Sequence, residues 1–154
     1  MIHFVRKLVR HLHWMMVLLL LVAGCAPLIG PYSPTAYQNA TSLKATTLAL
    51  MDKATQSYAN HEREIESLML EIDKAYEFVN GIPSNSISAK QWQILKKADG
   101  DLLGKFFLRW KERGVLTQVV IDEFKGLVAD AFDEIICLEA NKKEARNCSV
   151  KGGK

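Results

Sequence analysis

The sequence predicts an all-α domain, and three observations carry that reading. Residues 41–80 contain neither Gly nor Pro, and apolar side chains recur through them at alternating steps of four and three. Further apolar stripes at helical spacing follow, divided by Gly, Pro, Asp and Thr where helices stop and start. No segment alternates apolar and polar residues between hairpin turns, so none reads as a strand. The expected architecture is an irregular antiparallel bundle with one long heptad-like helix over about residues 41–80, two shorter helices and a long C-terminal helix.

The long helix rests on the series Leu48, Met51, Thr55, Tyr58, Glu62, Ile65, Met69, Ile72, Tyr76 and Val79. Its period of about 3.5 residues is that of a coiled-coil or bundle seam. Leu68 and Ala75 widen the stripe, as a helix with more than one neighbour requires. Thr55 and Glu62 are polar entries near its middle. The first reading is that the seam bends away from the core there; a register-fixing or wet stretch is the alternative. Asn80-Gly81-Ile82-Pro83 ends the helix. Ser88-Ala89-Lys90-Gln91 has the form of a capping box. It opens a short helix carrying Trp92, Leu95 and Ala98, which ends near Gly100. Asp101 is the expected cap of a second short helix, whose stripe is Leu102, Leu103, Phe106, Phe107 and Trp110 and which closes at Gly114. Thr117 is the candidate N-cap of the last helix, with Val120, Phe124, Leu127, Val128, Ala131, Ile135 and Leu138 on one face.

The N-terminus has a different organisation. Arg6, Lys7 and Arg10 precede an apolar run from about Leu12 to Val22, interrupted by His13, and no acidic residue occurs before Asp52. The run is shorter than the ~20 apolar residues of a bilayer span. Basic residues before it and small residues after it fit a secretory signal. Leu21-Val22-Ala23-Gly24-Cys25 then resembles a lipobox, the recognition sequence of bacterial prolipoproteins. The resemblance implies diacylglycerol on the Cys25 sulfur and cleavage between Gly24 and Cys25. It also implies a mature protein held by two or more acyl chains, which anchor stably where one chain does not. In Gram-negative members Asp after the cysteine retains the protein in the inner membrane. Ala26 stands there in this chain, so the resemblance favours the outer membrane, at its periplasmic face. Residues 1–24 are thus expected to be a signal peptide, and 25–40 a lipidated cysteine with a tether. Pro27, Gly30, Pro31 and Pro34 make that tether an extended spacer. A helical domain is expected over 41–148 and a loose tail over 149–154.

Charge and cysteine usage follow from this division. Of the 20 basic residues, Arg6, Lys7 and Arg10 leave with the signal while all 17 acidic residues remain, so the mature chain is formally neutral. It presents no net basic field for nucleic acid. Cys137 and Cys148 are left as a pair, and an oxidising compartment favours their disulfide. One continuous helix would hold them roughly 16 Å apart, whereas a disulfide needs Cα atoms within about 7 Å. Either the helix ends after Cys137, with Asn141 as its stop, and the tail folds back, or no bond forms within the chain.

No catalytic or metal site is legible. His61 is the only histidine after Cys25. His61-Glu62-Arg63-Glu64-Ile65 opens like a zinc-protease helix, but Ile65 stands where HExxH has its second histidine. Glu62, Glu64, Glu66, Glu71 and Asp73, interspersed with Arg63 and Lys74, read as a charged solvent face. Trp92, Phe106, Phe107 and Trp110 read as core, with a ligand groove as the alternative. No cofactor fingerprint is present. Three function classes follow: an envelope protein that binds another envelope component, an inhibitor or immunity protein acting on an enzyme, toxin or phage, and an enzyme or small-ligand carrier.

Overall fold

The computed structural model describes Arg6, Lys7, His13, residues 30–142 and Cys148. Gly24, Cys25 and the 149–154 tail lie outside the described residues. The described chain is all-helical. Five α-helices run in the order α1 (Pro34–Met51), α2 (Glu62–Asn80), α3 (Ser86–Lys96), α4 (Leu103–Arg113) and α5 (Gln118–Ala140). Two short 3₁₀ turns, Asp52–Thr55 and Tyr58–Asn60, join α1 to α2. None of these helices is long and apolar enough to cross a membrane.

The single long helix expected over 41–80 is two helices folded back on each other. No Gly or Pro breaks the chain, so the cause is tertiary. Gln56 takes extended backbone angles (φ −96°, ψ 168°), and its freed carbonyl accepts the indole N–H of Trp110 at 3.0 Å. The Tyr58 amide donates to the Gly114 carbonyl, and the Leu116 amide to the Ala54 carbonyl, each at 2.8 Å. The backbone groups that helix would have paired are satisfied from α4 and the loop after it. Thr55, Ser57 and Asn60 also compete with helix through their short polar side chains.

The tether is also shorter than expected. α1 begins at Pro34, not near residue 41. Ser33 caps it by accepting the Ala36 amide, and Pro34 occupies a first-turn position where its missing N–H costs nothing. Ser88 is not the cap of α3. The helix starts at Ser86 behind Asn85, and Ser88 is buried within it. Its end at Lys96 comes before Gly100, and Leu102, not Asp101, precedes α4. The α3–α4 corner depends on Gly104, where a Cβ would stand 2.5 Å from the Lys96 and Lys97 carbonyl oxygens. The expected stops at Gly81, Gly114 and Asn141 hold, as does Thr117 before α5.

α1, α2, α3 and α5 form a ring in which α1 touches α2 and α5, and α3 touches the same two from the other side. Ala36 and Ala40 let the start of α1 approach closely, and both are fully buried. Trp92 of α3 meets Phe132 of α5 edge to face at 5.9 Å. On α5 the core row is Ile121, Phe124, Val128, Phe132, Ile135 and Leu138, while Leu127 is exposed. α4 closes one end, packing Phe106, Phe107 and Trp110 against Phe124 and the corner.

Replacing Phe132 by Ala removes a fully buried ring and should cost about 3–5 kcal/mol. Exposed Leu70→Ala should stay within about 0.5 kcal/mol. Urea unfolding followed by far-ultraviolet circular dichroism measures both.

Candidate functional site

Three places in the fold gather chemistry. The first is a groove between α1 and α2, with a volume of about 690 Å³. Leu43, Leu50 and Leu68 give it an apolar floor, and Lys53, Arg63, Glu64 and Glu71 stand on its rim. It exists because Thr46 and Ala49 on α1, and Ser67 on α2, are too short to fill the space between the helices. At one end Glu64 is held on two sides. Lys53 donates to both its carboxylate oxygens (3.1 and 2.9 Å), and His61 Nδ1 lies 3.1 Å from Oε2. The Lys53 hydrogen bond, then that of His61, lowers the Glu64 carboxyl below the usual carboxylate range. Arg63, beside it, forms no ion pair among the described residues.

The second place is a buried polar cluster at the other end of the bundle. Glu139 is fully buried, and its Oε2 lies 2.8 Å from Nζ of Lys142, whose side chain is 5 % exposed. Neither carboxylate oxygen is aligned for a hydrogen bond. The ammonium instead donates to Asn85 Oδ1 at 2.7 Å and Ser88 Oγ at 3.3 Å. Asn85 and Ser88 are each 2 % exposed. The cluster ties the start of α3 to the end of α5. Beside it Cys137 and Cys148 form a disulfide, with Cα atoms 5.5 Å apart. The helix ends after Cys137, where the Asn141 amide donates back to the Cys137 carbonyl, so of the two alternatives the sequence left open the structure takes the one with the bond. Closing so short a loop contributes about 2–3 kcal/mol in the chain-entropy account.

The third is the His61 region. His61 precedes α2, with Nε2 2.9 Å from Gln56 Oε1 and its ring 5.7 Å from that of Trp110. It is a joint of the corner. The carboxylates that follow are drawn apart into ion pairs: Glu62 with Lys111, Glu71 with Lys74 and Asp73 with Lys96. Trp92, Phe106, Phe107 and Trp110 are core residues, not a groove. Among the described residues no three His, Cys, Asp or Glu side chains gather as a metal site. The α1–α2 groove was not foreseen, because its walls adjoin only once residues 41–80 have folded back. Compared with protein-family models, curated proteins and solved structures, the chain matches none.

Lys142→Met or Glu139→Leu alone leaves one buried charge unpaired and should cost about 3–5 kcal/mol, and the double variant should recover most of it. A double-mutant cycle by urea unfolding tests this. Because the folded Glu64 carboxyl is lowered, its contribution is present above the ordinary carboxylate range and lost as pH falls through the lowered value. Carboxyl-detected NMR titration should find Glu64 below that range, and Lys53→Met should raise it.

Proposed function

We propose that this chain is a lipid-anchored bacterial envelope protein whose helical domain works by binding another envelope protein in the α1–α2 groove. The address rests on the basic start, the short apolar run and the lipobox ending at Cys25. The binding role rests on the groove: an apolar floor with charged margins, set between two helices that fold back on each other.

The occupant that fits is an amphipathic helix, laying its apolar face on Leu43, Leu50 and Leu68. Its polar margin should be acidic where it passes Arg63, because Glu64 is already engaged by Lys53 and His61. Among envelope proteins this reading serves two roles. In one the partner is a structural component of the envelope. In the other it is an enzyme, toxin or phage protein that the domain blocks. The outer membrane is the proposed location, from Ala26 after Cys25.

The test uses the tagged full chain, crosslinked in vivo and purified from detergent-solubilised membranes. The expected result is one stoichiometric envelope partner, lost with Ala49→Arg and with Ser67→Trp. Both residues are exposed on the groove walls, so neither change disturbs the core. A partner retained by both variants rejects the groove as the site. The partner's identity separates the structural role from the blocking role.

A further inference from the structure

The two ends of the bundle differ in charge, and the difference follows the chain topology. Residue 30 is docked on the loop between α2 and α3. A Cβ on Gly30 would stand 2.9 Å from Ile82 Cγ2 and from the Pro83 carbonyl oxygen. The start of α1, the end of α2, the start of α3 and the end of α5 therefore share one end, since Asn85 of this loop also meets Lys142. Two of the stretches that build it are uncharged, and the charges that the end of α5 brings there, Glu139 and Lys142, are buried against each other. The first charged residue after Cys25 is Lys44, and residues 78–89 contain none. At the opposite end stand Asp52, Lys53, Arg63, Glu64, Arg109 and Arg113.

At this end three aromatic side chains and one aliphatic side chain remain exposed. Tyr32 is 54 % exposed, Tyr37 37 %, Phe78 42 % and Ile87 40 %. They lie just before α1, in its first turn, in the last turn of α2 and in the first turn of α3. Tyrosine with an apolar body and a polar tip is the side chain enriched at membrane–water interfaces.

The chain between lipid and domain sets the distance. The five steps along the chain from Cys25 to Gly30 reach at most about 18 Å. A tether running to residue 41 would have reached roughly 55 Å. A leash this short, leaving from the end where α1 begins, brings that end to the headgroups.

We infer that the end of the bundle where α1 begins lies against the bilayer surface, with Tyr32, Tyr37, Phe78 and Ile87 in the headgroup region. The domain is then held by its own side chains as well as by the acyl chains on Cys25, and the α1–α2 groove faces along the membrane at a fixed height. The inference rests on the lipoprotein reading above.

The experiment uses the mature lipidated protein in phosphatidylethanolamine–phosphatidylglycerol vesicles that carry a headgroup-nitroxide lipid. Intact mass first establishes acyl chains on Cys25. A fluorophore is placed on Ile87→Cys, on Thr35→Cys, or on Val119→Cys at the far end, the native Cys137 and Cys148 being paired. The expected result is severalfold stronger quenching at 87 and 35 than at 119, reduced by Tyr32→Ser with Phe78→Ser. Equal quenching at both ends overturns the inference. So does a probe at 87 screened from both the nitroxide lipid and aqueous iodide, which means a protein covers that end. A chain without acyl on Cys25 defeats the lipoprotein reading and this inference together. An acylated chain without end-selective quenching defeats this inference alone.

Discussion

The indole N–H of Trp110 donates to the carbonyl of Gln56, and the rest of the architecture depends on that corner being held open. Residues 41–80 carry a pattern that suits one rod of about 60 Å. Folding it back frees backbone groups at Ala54, Gln56 and Tyr58, and a freed, buried peptide group costs about 1–3 kcal/mol if left unpaired. α4 supplies the partners. Its Trp110 side chain, the Gly114 carbonyl after it and the Leu116 amide beyond each meet one group of the corner. Edge-on packing of Tyr58 on Trp110 at 5.8 Å adds an apolar contact at the same point. The corner places α1 beside α2, and that placement creates both the groove and the common end where the chain enters the domain.

What the sequence shows and hides divides along the same line. Helical class, the stops at Gly81, Gly114 and Asn141, and the aromatic face of α4 depend on residues close in the chain, so periodicity and caps reveal them. The heptad series survives the break because both halves keep their apolar faces inward: Met51 on one side, Ile65, Ile72 and Val79 on the other. Thr55 and Glu62 mark the place, but the hydrogen bonds that turn a polar interruption into a corner come from residues about fifty positions away. The cap of α3 was misplaced for a related reason. Ser88 has cap chemistry, yet its hydroxyl is used by Lys142, 54 positions further along the chain. The cysteine pair was legible because geometry posed two choices, and Asn141 supplies the stop that one of them needs.

The end that carries the disulfide also carries the costliest group in the described core. Burying a glutamate and a lysine takes several kcal/mol of hydration from each, and one misaligned contact restores only part of it. Asn85 and Ser88 offset some of the ammonium's loss, while the carboxylate depends on the ammonium alone. Such a pair adds little net stability. It defines, however, which surfaces meet, because an apolar seam slides where a charge pair does not. The disulfide at Cys137, two residues before Glu139 in the chain, limits the last turns of α5 in the same way. Two independent devices thus fix the place where α5 ends against the α2–α3 loop.

That loop is where Gly30 docks, so the fixed end is also the entry of the chain. A domain on a long flexible spacer samples all orientations, and its binding face meets partners at any height and angle. Here α1 starts only a few residues beyond the docked glycine, capped by Ser33 and stiffened by Pro34. Orientation at the point of entry then passes into the axis of α1, which rises about 27 Å. Thr46 and Ala49 line the groove in the upper half of that helix. On the proposed reading, the buried pair, the disulfide and the docked glycine act together on one quantity, the height and direction of the groove above its anchor. A partner held in the same envelope loses less orientational freedom on meeting a groove already so placed, and rigid attachment raises affinity by reducing that loss.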